Sequence, residues 1–173
     1  MFNIQISNPI SIETRNGNDE SIEEAIDTIF PLENEYCFIN WNNIFIPVSY
    51  KYDISIMIKD IIRIVDFIKK GEGKLEFDWA SNTFSASWRM ECTSDSIRIE
   101  STWVSVLGKL KDLLNDNATL EIKKKVFVDK WITLLLFVKG KLEKAGYNSN
   151  NLEDFYQLEN INSFTVNPDN FFQ

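Results

Sequence analysis

The chain has 173 residues, 44% of them hydrophobic and 13% aromatic, which suits one domain slightly above the usual size. That content is far from a disordered composition, and six glycines and four prolines leave little room for long flexible linkers. A net charge of −8, two cysteines and no histidine argue against a coherent basic nucleic-acid-binding face, a disulfide scaffold and the usual zinc sets.

From the N-terminus, Phe2 to Ile6 alternate apolar and polar residues and predict a first strand. Asn16-Gly17-Asn18 marks a turn, and Asp19 to Phe30 reads as a short helix with an apolar stripe of Ile22, Ala25, Ile26 and Ile29, stopped by Pro31. Two apolar runs, Tyr36–Asn40 and Ile44–Val48, flank Trp41-Asn42-Asn43 as a hairpin, with Pro47 placing its strand at an edge or end. Asp53 is expected to cap an amphipathic helix from Ile54 to about Lys70, ended by Gly71 and Gly73. Three period-two runs follow, around Leu75–Trp79, Phe84–Met90 and Ile97–Trp103. With turns at Ser81-Asn82 and Thr93-Ser94-Asp95, they predict an antiparallel meander with one wet face. Leu107–Leu114 reads as a short helix, Leu120 and Ile122 as a short strand, and Phe127–Ala145 as a second long helix with Gly146 past its end. Residues 148–173 form an acidic segment punctuated by Phe155, Tyr156, Phe164, Phe171 and Phe172, with a short helix expected near 151–158. The expected fold is a single α+β domain over residues 1–173: an antiparallel sheet of about five to seven strands with two long helices packed on one face.

Location follows from what the chain lacks. Met1 to Ile6 show neither the basic region nor the long apolar run of a signal peptide, and the apolar stretch Trp131–Val138 falls short of the ~20 residues of a membrane span. A cytoplasmic protein without membrane attachment is expected, with Cys37 and Cys92 as buried free thiols.

Charge is unevenly placed. Residues 1–53 hold nine acids against two bases, residues 54–145 thirteen against sixteen, and residues 146–173 four against none. Acidity therefore belongs to the two ends. The absence of histidine removes the commonest general base, and no glycine-rich phosphate loop precedes a helix, so no catalytic residue and no cofactor is expected. Asp19, Glu23 and Asp27, spaced by four, would line one helical face. That stripe has three readings: a solvated face, a docking surface for a basic protein, or a divalent-ion site serving a carboxylate enzyme. Trp79, Trp88 and Trp103 share the parity of their apolar neighbours and read as core, while Asp78, Arg89 and Arg98 fall on the wet face. The aromatics of the C-terminal segment either pack back onto the fold or anchor a partner.

The layout of Phe38-Ile39-Asn40-Trp41, Pro47-Val48-Ser49-Tyr50-Lys51-Tyr52-Asp53, Trp79-Ala80-Ser81-Asn82 and Trp103-Val104-Ser105-Val106, in a small acidic chain without catalytic residues, resembles immunity proteins of bacterial toxin–immunity systems. Contact-dependent growth inhibition is one such system. The resemblance implies a protein that binds and neutralises a cognate basic toxin, such as a nuclease, its acids standing in for nucleic-acid phosphates. The contact is then expected at Asp19, Glu20, Glu23, Glu24 and Asp27 with Glu33 and Glu35, and secondarily at Glu153 and Asp154. The competing reading is a structural or adaptor protein that self-associates, as a homodimer, through a sheet edge or the C-terminal segment.

Overall fold

A computed structural model describes residues 1–81 and 83–161. The fold is α+β, with two antiparallel sheets where the sequence pattern predicts one. The first sheet has the order β1 (Phe2–Gln5), β2 (Tyr36–Trp41), β3 (Ile44–Ser49). The second runs β4 (Gly73–Ala80), β5 (Phe84–Cys92), β6 (Ser96–Val106), β7 (Thr119–Lys123). The helices are α1 (Ile22–Ile29), α2 (Ser55–Lys69), α3 (Lys111–Asp116), α4 (Lys124–Ala145) and α5 (Tyr156–Glu159). Among the described residues no helix is long and apolar enough to cross a membrane.

The reason for two sheets lies where they meet. At the tip of the β2–β3 hairpin, Asn42 Nδ2 donates to the Thr119 carbonyl at 2.8 Å and Trp41 Nε1 to the Asn117 carbonyl at 2.8 Å. Side chains, not a backbone ladder, join the first sheet to the start of β7. The hairpin itself closes through Asn42 and Asn43, both left-handed at φ 49° and 68°, in a two-residue turn of the kind asparagine favours. The Asn40 side chain accepts from Asn43 N at 2.9 Å and fixes that turn.

The meander follows the period-two pattern closely. Phe77, Trp79, Phe84, Ala86, Trp88, Met90, Ile97, Ile99 and Trp103 are buried on one face while charged and small polar residues fill the other. On the buried side all five tryptophans form one aromatic network. Trp88 packs edge-on against Trp79 at 5.3 Å and near Trp41 at 5.2 Å; Trp41 meets Trp103 at 5.4 Å and Trp79 meets Trp131 of α4 at 6.0 Å. Edge-to-face rings set the positive rim of one against the negative face of the next, which adds to the burial of large apolar area. Phe2 and Phe127 extend the network to β1 and α4, so one continuous core backs both sheets.

Helices α1, α2 and α4 pack on one another, with α4 also against β1 and α2 against β4. Helix α4 ends at Gly146, whose φ of 97° is the left-handed geometry expected of a C-terminal cap. Phe155 packs into the core and Tyr156 stays exposed; Phe164, Phe171 and Phe172, like Asn82, lie outside the described residues.

Asp53 does not cap α2. It sits inside a single π-helical turn, Tyr50–Ile54, that precedes that helix, and its side chain is fully buried. Its carboxylate accepts from the backbone N–H of Ser49 at 2.7 Å, from the hydroxyl of Thr83 at 2.7 and 2.8 Å, and from the hydroxyl of Ser81. The Ser81 hydroxyl also accepts from Phe84 N at 2.9 Å. This carboxylate therefore ties the end of β3 to the start of β5, across the two sheets, and satisfies donors that burial would otherwise leave unpaired.

Candidate functional site

Helix α1 begins three residues later than its acids suggest, at Ile22. Ser21 is the N-cap, its side chain accepting from Glu24 N at 3.2 Å, while Glu24 Oε2 reaches back to the backbone N–H of Glu20 at 2.7 Å. Ser21 and Glu24 make the Ser-x-x-Glu signature of a helix start, which overrides the reading from Asp19. Asp19 is therefore outside the helix, and the expected Asp19–Glu23–Asp27 stripe does not form. Instead Asp19 turns inward: it accepts from Asn16 Nδ2 at 3.0 Å, from Thr28 Oγ1 at 3.1 Å and from the hydroxyl of Tyr147.

The remaining expected contact residues divide by what they hold. Glu35 accepts the Ile10 N–H with both oxygens, at 2.9 and 3.0 Å, and fastens the loop after β1. Asp154 accepts the N–H of Ile22 at 3.0 Å, at the positive start of α1, and pairs with Lys59 of α2 at 3.1 Å. These two acids and Asp19 work chiefly within the fold. Asp27 pairs with Lys51 at 3.0 Å and remains half exposed; Lys51 also donates to the Asp27 carbonyl at 2.8 Å, covering the end of α1. Glu23 lies 3.6 Å from Lys59, and Glu33 accepts the Tyr52 hydroxyl. Glu20, Glu24 and Glu153 project into solvent.

Three distant segments thus converge. Asp154 brings the acids near residue 153 against the start of α1, and Lys51 and Tyr52 bring the π-helical turn against its end. Between α1 and that turn lies an open groove of about 360 Å³ lined by Asp19, Glu23, Glu24, Asp27, Lys51, Tyr52 and Ile56. Two apolar surfaces stand exposed in it, Tyr52 at 38% and Ile56 at 48%. Pattern reading missed both, because Ile56 reads as one more helix isoleucine and Tyr52 as a linker residue. A helical wheel would have flagged Ile56, which lies off the stripe of Ile54, Ile58, Ile61 and Ile62.

The electrostatics are those of a carboxylate-rich rim. The Glu33 hydrogen bond, aided by some burial, raises the Tyr52 hydroxyl above its ordinary range and keeps it a donor. Burial lowers Lys59, but the Asp154 hydrogen bond and the Glu23 charge outweigh it and hold the ammonium firmly protonated. Elsewhere, burial pushes the Cys37 thiol up to about 12, so it is an inert apolar group, and both cysteines are free and buried. Among the described residues no group of three or more acids or cysteines is arranged to hold a metal ion.

Fold and site together define an α+β protein of two antiparallel sheets with an acidic groove along its first helix, in which Tyr52 and Ile56 stand exposed. No protein-family model, no curated protein and no solved structure matches the chain.

Proposed function

We propose that this chain is a non-catalytic, cytoplasmic protein-binding module of the immunity-protein kind, which neutralises a basic toxin by docking it on the groove of α1. The observation that supports this reading is the convergence of Glu23, Glu24, Asp27 and Glu33 around the exposed Tyr52 and Ile56, with Glu20 and Glu153 exposed near the start of the same helix. Aromatic and aliphatic anchors give an interface its buried centre, and the carboxylates around them supply steering and register. A cleft that binds nucleic-acid phosphates would find in this rim a row of negative charges of the same sign. Such association is fast and weakens with salt.

The reading predicts that co-expressing the chain with a toxic basic protein encoded beside it restores growth. The variant E23K/E24K/D27K should lose that protection while keeping the circular dichroism of the unaltered chain. Protection undiminished in that variant would remove α1 from the interface, and a neighbouring protein without toxicity would remove the neutralising role.

A further inference from the structure

The wet face of the second sheet carries its charges in rows that alternate in sign and stop at one edge. In the first row Glu121 meets Arg98 at 3.0 Å, Arg98 stands opposite Glu91, and Glu91 pairs with Lys74 at 3.3 Å. In the second, Glu100 stands opposite Arg89, which pairs with Glu76 at 2.7 Å. Read towards β4, the rows run minus, plus, minus, plus and minus, plus, minus. At β4 the first ends on Lys74 and the second on Glu76, two residues apart on the same face. Beyond them the sheet stops: β4 is the end strand and, among the described residues, its outer backbone edge pairs with no other strand or loop.

We infer that this edge pairs with a second copy of the chain, β4 against β4 antiparallel, about a twofold axis at Leu75. In that register Lys74 of each copy faces Glu76 of the other, so both rows continue across the axis with their alternation unbroken; Asp78 comes opposite Glu72, which lies before the strand and outside the paired segment. The two Leu75 side chains, each only partly buried in the single chain, meet at the axis. The result is one eight-stranded sheet. Opposite charges directly across an antiparallel pair are favourable and like charges are not, which selects among the registers that keep side chains on their proper faces. An axis at Glu76 also sets Lys74 against Asp78, but it puts Glu76 against its own copy at the centre of the pair and breaks the alternation of the rows. An axis at Phe77 sets Glu76 against Asp78 twice. Charged edge strands ordinarily repel a second sheet, but here the order of the signs makes the edge self-complementary. The pairing uses no residue of the acidic groove, so it stands independently of the toxin-binding reading.

Sedimentation equilibrium of the full chain tests it. A concentration-dependent dimer is expected, weakened by roughly tenfold or more in E76K and in K74E, since each reversal turns two attractive pairs into two repulsive ones. The double variant K74E/E76K exchanges the signs and should return to within about threefold of the unaltered affinity. Amide exchange of the unaltered chain gives a readout free of any folding defect: protection of the outward amides within Gly73–Phe77 should rise with concentration. A chain that stays monomeric with unchanging exchange in β4, a dimer indifferent to E76K, or a double variant no stronger than the singles would each overturn the inference.

Discussion

Carboxylates in this chain serve two purposes, and single residues show the difference. Asp53 is wholly buried and gathers the Ser49 amide and the Ser81 and Thr83 hydroxyls, so removing it strands three donors at once. Asp53→Ala is expected to lower stability by about 3 kcal/mol or more in urea unfolding at neutral pH, since hydrogen bonds to a buried charge are among the stronger ones. The local sequence does not announce this role, because the two hydroxyl partners lie 28 and 30 residues away. Burial, reinforced by its hydrogen bond to Asp19, pushes Tyr147 up to about 12, and burial likewise carries Tyr50 and Cys37 to about 12. In the unfolded chain these groups titrate near 10.0 for tyrosine and 9.0 for cysteine. The unfolded state therefore sheds protons first as pH rises, so the stability these groups contribute is whole below pH 9 and drains away between 9 and 12. Denaturant midpoints measured across that range should fall, and less steeply in Tyr147→Phe, which has no ionisable hydroxyl.

At the scale of elements, local chemistry sets the boundaries and periodicity sets the type. Strands β4, β5 and β6 were legible because strict alternation over eight or more residues has one solution when one face is wet. Helices α2 and α4 were legible from their apolar stripes, and Gly146 from its place past the last one. The start of α1 is masked in the sequence by the acids Asp19 and Glu20, which precede Ser21, the residue that caps it. Ser21→Ala should cost about 1 kcal/mol and Gly146→Ala a similar amount. At Gly146 the cost is conformational, since an added Cβ would come no closer than 4.0 Å to Arg15. Each should appear as a fall of about 2–4 °C in Tm by calorimetry. The division into two sheets was not legible. The contacts that join β2 to β7 are side-chain bonds from Trp41 and Asn42 to the carbonyls of Asn117 and Thr119, and no period or turn signal encodes a meeting across such a distance in the chain.

For the whole molecule the question is which charges remain for a partner once the fold has used its share. Composition makes the ends acidic, and among the described residues Asp154 brings the C-terminal acids near residue 153 against the start of α1, with Lys59 as the join. Of the acids expected at the contact, Asp19, Glu35 and Asp154 are held by internal bonds, Glu23, Glu24, Asp27 and Glu33 surround Tyr52 and Ile56, and Glu20 and Glu153 stand exposed near the start of α1. That partition was invisible in a list of acids, because it depends on which donors the tertiary structure brings near each one. The most direct measurement is the association rate of the purified chain with its basic partner, taken from low to high salt, for the unaltered protein and for E24K/D27K. If the groove is the docking surface, the unaltered protein associates fast at low salt and slows steeply as salt rises. The variant should then be roughly 10- to 1000-fold slower at low salt and nearly flat with salt. Equal rates for the two proteins at every salt concentration would contradict the account and return these acids to the role of a solvated face.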